Sequence, residues 1–243
     1  NPIVLNSSIL KELFSQTLFA ISTQESRPLL TGLNIRINGN VMECVTTDSY
    51  RLAKKTIILD ADYGTYDIVV PGKNIQEFDK ILTDEENVKI NLFTNKLLFE
   101  YNGYLFQTSL LSGQYPNTSN LIPTDFEYIL TTNLDNFYSA IDRAALLTQN
   151  KDKNLINMKT AGNELVITSF ASEIGKSEES VAISKNNDKD ITISYSAKYM
   201  LDALKTLNDD ELIILMNGDS KPIILKNAKD DSLIQLILPI KTY

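Results

Sequence analysis

The chain has 243 residues, enough for two domains of about 120 residues, each able to bury its own core without disulfides or metals. Hydrophobic residues make up 43% and charged residues 22%, a globular composition that excludes wholesale disorder and a collagen-like chain. The formal charge of -8 speaks against electrostatic coating of nucleic acid, and a chain with no histidine and one cysteine has no Ser-His-Asp or Cys-His machinery, no intrachain disulfide and no Cys-rich zinc site.

The N-terminal Asn1-Pro2-Ile3-Val4-Leu5 reads as a short strand with no signal-peptide pattern. No initiator Met precedes it, which points to a processed or truncated chain. Asn6-Ser7-Ser8 supplies caps for a helix with Ile9, Leu10, Leu13, Phe14, Leu18 and Ile21 on one face. Strands follow at 29–37, 41–47 and 51–59, with Asn38-Gly39-Asn40 turning the first pair. Cys44 falls in the second and reads as a small core residue; a lone thiol suits a reducing, cytoplasmic compartment. A strand at 67–70 leads through Pro71-Gly72 to a helix capped by Asn74, carrying Ile75, Phe78, Ile81 and Leu82. Three short strands then end near Leu110, and a loop with two prolines, residues 112–123, has linker composition.

The order then repeats. A strand at 126–131 leads to a helix capped near Asn133, with Leu134, Phe137, Ile141, Ala144, Ala145 and Leu147 on its apolar stripe. Four strands follow between 155 and 195. Ser196 caps a second helix with Met200, Leu201, Leu204 and Leu207, and strands at 212–216, 222–225 and 233–238 finish the chain. Gly39-Asn40 reappears as Gly162-Asn163. The pattern predicts two domains, 1–123 and 124–243, each an internal pseudo-repeat of helix and strands. Each repeat places an amphipathic helix on antiparallel sheet, an α+β layer.

Repeated geometry is prominent and catalytic groups are scarce. Asp84-Glu85-Glu86 and Asp209-Asp210-Glu211 follow the second helix of each domain and read as solvated loops rather than a metal site. Pro71-Gly72-Lys73-Asn74 lacks the upstream Gly and the following Ser/Thr of a phosphate loop. No cofactor is expected. No apolar run approaches the ~20 residues that span a bilayer, so no membrane partner is expected. A paired-carboxylate enzyme and a purely structural repeat protein stay open at this point.

Particular residues carry a family resemblance. They are Ser26-Arg27-Pro28-Leu29-Leu30-Thr31-Gly32, Thr46-Thr47-Asp48-Ser49-Tyr50-Arg51-Leu52-Ala53, Val69-Val70-Pro71-Gly72-Lys73 and Gly113-Gln114-Tyr115-Pro116. Ala140-Ile141-Asp142-Arg143-Ala144, Ser196-Ala197-Lys198-Tyr199-Met200-Leu201 and the terminal Leu238-Pro239-Ile240-Lys241-Thr242-Tyr243 complete the set. In this order they resemble the bacterial sliding clamps, the beta subunits of DNA polymerase III. That family has three such domains, and this chain resembles only the second and third.

The resemblance implies a non-catalytic processivity factor. Two three-domain chains close head to tail into a homodimeric ring around duplex DNA, with helices lining the hole. Residues 1–125 carry 10 basic and 14 acidic side chains, and residues 126–243 carry 13 and 17, so neither half is the DNA module alone. Lys11, Lys73, Lys80, Arg143, Lys198 and Lys205 are the candidates for sequence-blind phosphate contact, and Gln24 matches a family position near DNA.

The resemblance also implies a site for short apolar peptides of polymerases, the clamp loader and repair proteins, placed in the family between these two domains. By position it comprises Leu30, Thr47, Ser49, Tyr50, Arg51 and Leu52, then Pro116, Asn120 and Leu121, and finally Leu236, Leu238, Pro239, Ile240 and Lys241. A peptide Leu or Phe would fill such an apolar patch while Arg51 and main-chain groups orient it. The alternative is that its leucines only glue domains together. Tyr50 stands where the family often has His, and Asn120 where Arg occurs. Without the first domain, this chain is expected to be a monomer that binds peptide.

Overall fold

The computed structural model describes residues 1–83, 85–149 and 154–242. Asp84 of the first acidic cluster and Tyr243 of the terminal motif lie outside them. The chain divides into two units, Asn1–Asn117 and Thr118–Tyr243, and the division falls inside the two-proline loop.

Among the described residues the order β-α-β-β-β occurs four times. The first unit contains β1 (Ile3–Asn6), α1 (Ser7–Thr17), β2 (Gly32–Asn38), β3 (Val41–Thr47) and β4 (Arg51–Ile58). It continues with β5 (Thr65–Pro71), α2 (Gly72–Asp79), β6 (Asn87–Leu92), β7 (Lys96–Tyr101) and β8 (Tyr104–Ser109). The second unit repeats the order with β9 (Tyr128–Asn133), α3 (Leu134–Ala145), β10 (Leu155–Ala161), β11 (Glu164–Ala171) and β12 (Gly175–Lys185). It ends with β13 (Thr192–Ser196), α4 (Ala197–Leu204), β14 (Glu211–Met216), β15 (Ile223–Asn227) and β16 (Leu233–Ile237).

The repeat extends to atoms. Asn6 caps α1 by accepting from Ser8 N–H, and Asn133 caps α3 by accepting from Asn136 N–H. The first helical N–H of each is taken by the acidic loop that follows the second helix: Ser7 donates to the Glu86 carbonyl at 2.8 Å, and Leu134 to the Asp210 carbonyl at 2.9 Å. Those loops therefore satisfy helix ends with their main chain. Gly39 and Gly162 sit at φ +63° and +62°, the left-handed conformation their two-residue hairpins need.

Within each unit the paired strands of the described residues are antiparallel. In the first unit β1-β6-β7-β8 form one run and β4-β3-β2-β5 another, stitched where Leu111 N–H donates to the Val69 carbonyl at 2.9 Å. In the second unit the eight strands form one run, β13-β10-β11-β12-β9-β14-β15-β16. The difference lies in strand length. β12 has 11 residues, and its last three pair with β9; β4 has 8. Helices bury their stripes on these sheets, giving each unit its own core. Phe78 of α2 stacks on Phe99 of β7 with centroids 4.1 Å apart.

Several sequence expectations are corrected. The strand expected from Leu29 begins at Gly32, because Pro28 starts a 3-10 turn over Pro28–Thr31. The helix expected from an Asn74 cap begins at Gly72 after Pro71, and the Asn74 amide instead donates to Thr108 Oγ1 at 2.8 Å. Ile9 is exposed, and Ile21 lies beyond α1, which tightens into a 3-10 turn at Leu18–Ala20.

Candidate functional site

The β3–β4 turn is built around one carboxylate. Asp48 Oδ1 accepts the N–H groups of Tyr50 and Arg51 at 2.9 and 3.1 Å, and Oδ2 accepts Arg51 Nε–H at 3.1 Å. Thr47 Oγ1 donates to the Arg51 carbonyl at 2.6 Å and accepts from Ser49 N–H at 3.1 Å. Ser49 takes φ +79°, and its hydroxyl accepts from Arg27 Nη1 at 2.8 Å. The Arg51 guanidinium lies 5.4 Å over the ring of Phe19.

This bracing leaves Tyr50, 57% exposed, at the apex, while Leu52, two residues on, is buried, as is Leu30 in the 3-10 turn Pro28–Thr31. The structure thus gathers Thr47, Ser49, Tyr50, Arg51 and Leu52 on one rigid turn. Pro116 is exposed, and its carbonyl accepts from Arg36.

In the second unit Asn120 and Leu121 lie exposed in a 3-10 turn, Ser119–Leu121. Leu236 is buried in β16. Leu238 is exposed just past the strand, followed by half-buried Pro239 and Ile240 and exposed Lys241. The tail is pinned where Ile240 N–H donates to the Ser194 carbonyl at 2.8 Å. A cleft of about 510 Å³ opens in the same unit among Thr148, Asn154, Asn157, Phe170 and Lys176, and none of the expected peptide residues lines it.

The expected cations sit on the helices or, for Lys80 and Lys205, at their C-caps. In the first unit α1 packs on α2, and Lys11 pairs with Asp79 at 3.7 Å across them. Lys73 pairs with Glu25 at 3.8 Å, next to exposed Gln24, and Lys80 with Glu77 at 2.6 Å. In the second unit α3 packs on α4. Arg143 pairs with Glu179 at 2.8 Å, a hydrogen bond that raises its pKa, and Lys198 pairs with Asp202 at 2.8 Å. Lys205, exposed at the end of α4, has no ion pair among the described residues. Each helix pair carries cations, but most are diluted by a carboxylate partner.

Among the described residues no cluster of three or more His, Cys, Asp or Glu could hold a metal ion. Asp209 Oδ2 accepts from Lys229 N–H, a loop contact. Cys44 is buried, and burial pushes its thiol up to about 12. No helix among the described residues is long and apolar enough to cross a membrane.

Residues 4–117 match the family described as DNA polymerase III beta subunit, central domain, and residues 119–241 match its C-terminal domain. The chain belongs to the DNA polymerase III beta-subunit family. It is 42% identical over 243 residues to a Staphylococcus epidermidis beta sliding clamp and 40% over 242 residues to that of Staphylococcus aureus. Each match covers 99% of this chain and 64% of the relative, so the chain spans less than two thirds of those proteins. The crystal structure of the Bacillus subtilis DNA polymerase sliding clamp superposes with TM-score 0.96 at 38% identity, covering 100% of this chain and 65% of that one. The beta chain from Streptococcus pneumoniae gives 0.94 at 33%, over 100% and 65%. The family assignment and the two-domain α+β clamp fold agree with the sequence reading.

Sequence reasoning omitted four residues that build the beta-subunit turn and its surroundings. Asp48, Arg27 and Tyr115 stand inside motifs that carried the resemblance. Phe19 gave no signal, because its contact with Arg51 depends on the fold.

Proposed function

We propose that this chain is the central and C-terminal part of a DNA sliding clamp, a processivity factor without catalytic chemistry. The whole protein, in this reading, closes as a head-to-tail homodimeric ring around duplex DNA in the cytoplasm, at the nucleoid. Lys11, Lys73, Lys80, Arg143, Lys198 and Lys205, with Gln24, meet phosphates weakly and without sequence preference. The carboxylate partners of five of these cations suit a grip loose enough to slide. This chain alone is a monomer.

Polymerase, clamp loader and repair proteins are recruited through short apolar peptides. Leu30, Thr47, Ser49, Tyr50, Arg51, Leu52 and Pro116 of the first unit contact the peptide, as do Asn120, Leu121, Leu236, Leu238, Pro239, Ile240 and Lys241 of the second. The observation that carries this reading is the Asp48-braced turn, which spends five hydrogen bonds on holding an exposed tyrosine in place. An aromatic held rigid in solvent costs little further entropy on binding a partner.

Fluorescence anisotropy with a labelled Gln-Leu-x-Leu-Phe peptide tests it. Saturable binding is expected, weakened at least about 10-fold by Tyr50→Ala and by removal of residues 239–243. A parent chain that leaves the anisotropy flat at saturating protein sinks the peptide assignment.

A further inference from the structure

One loop of the first unit carries Pro116 and lies against the sequence neighbour of Leu30. After β8, Leu111 is tied to Val69. Gly113 sits at φ +124°, and a Cβ there would stand 3.0 Å from the Leu29 side chain, so the loop lies against the neighbour of Leu30. Tyr115 is 2% exposed although Gln114 and Pro116 on either side are exposed. Burial raises its phenol, and the hydroxyl is buried without a hydrogen-bond partner among the described residues.

Arg36 holds the next residue. Its Nη2 donates to the Pro116 carbonyl at 3.4 Å, while its Nε lies 3.5 Å from Asp67 Oδ2. Arg36 and Asp67 are direct partners in the β2–β5 ladder. Asp67 Oδ1 is in turn fixed by the buried Asn34 amide at 2.7 Å. The order Asn34, Asp67, Arg36, Pro116 is a chain of polar contacts from a rigid ladder to an irregular loop. A planar guanidinium serves a carboxylate and a carbonyl in different directions at once, which an ammonium on a flexible stem does poorly.

We infer that Arg36, held by Asp67, is a positioning residue for peptide recognition: it fixes Tyr115 and Pro116 against the Thr47–Arg51 turn. The inference rests on the peptide-binding reading above. A loop outside any ladder belongs to the less stable part of a fold, and ordering it in advance removes a cost that the peptide would otherwise meet.

The test combines R36Q, D67N and the double variant in the full chain, read by peptide anisotropy and by hydrogen exchange of residues 113–117. Each single variant is expected to weaken the peptide about 5-fold, and the double variant no more than the weaker single, because both break one unit. Exchange of the loop amides rises about 10-fold in all three, with the β2–β5 amides unchanged. Unchanged affinity in R36Q while the parent binds overturns the inference alone, and so does multiplication of the single effects to about 25-fold. A parent that does not bind overturns the peptide reading and this inference with it.

Discussion

The Asp48 carboxylate and Arg51 are joined twice, once through the Arg51 main-chain N–H at 3.1 Å and once through its Nε–H at 3.1 Å. Backbone and side chain of one residue are thus set by a single group three positions earlier. Charge-assisted hydrogen bonds of this kind are the stronger ones, and here both side chains are mostly shielded from water. Asp48→Ala is expected to cost about 2 kcal/mol of first-unit stability and to weaken peptide binding with it. Denaturant unfolding followed beside the anisotropy assay checks both, and a variant with parental stability contradicts the bracing role.

Asn6 and Asn133 perform the same capping in the two units. Asn6→Ala and Asn133→Ala should each cost about 1 kcal/mol, and each should lower the transition of its own unit only. Calorimetry of the two single variants reads this directly.

The buried thiol of Cys44 sets a pH dependence. Its folded pKa is raised from the ordinary 9.0 to about 12, first by burial and then by Glu43. Above pH 9 the unfolded chain releases a proton that the folded chain keeps, so stability is full below pH 9 and falls as pH rises towards 12. The buried Tyr195, also raised, acts in the same direction. Cys44→Ala should flatten the slope by up to about 1.4 kcal/mol per pH unit in that window. Urea midpoints between pH 9 and 11 give the comparison.

Sequence-blind phosphate contact predicts low-affinity binding to duplex DNA, with a log–log salt slope that counts the cations meeting phosphates. Lys205→Gln, which removes a cation with no carboxylate partner among the described residues, should lower the log–log salt slope by about one. Lys80→Gln, whose cation is already engaged by Glu77, should change it less. Equal slopes for the parent and both variants would falsify the assignment of these helices to DNA.

The repeat was legible in the sequence because apolar stripes, Asn caps and the two Gly-Asn turns are local signals. Asn74 misled because it has a good cap residue's chemistry, yet Pro71 had already fixed the helix entry two residues earlier. Pro28 likewise turned an expected strand end into a 3-10 turn. The exposed members of the proposed peptide site followed from motif positions. Its supports did not, since the Arg36–Asp67 pairing needs the β2–β5 register and the Arg51–Phe19 contact needs packing.

In the proposed function, the Thr47–Leu52 turn and the C-terminal segment recognise a peptide. Hydrogen exchange of the chain with and without saturating Gln-Leu-x-Leu-Phe peptide tests it in one measurement. Protection is expected in residues 47–52 and 236–241, with the α3 and α4 amides unchanged. Binding with protection elsewhere and none in these two segments would contradict peptide recognition by this turn and tail.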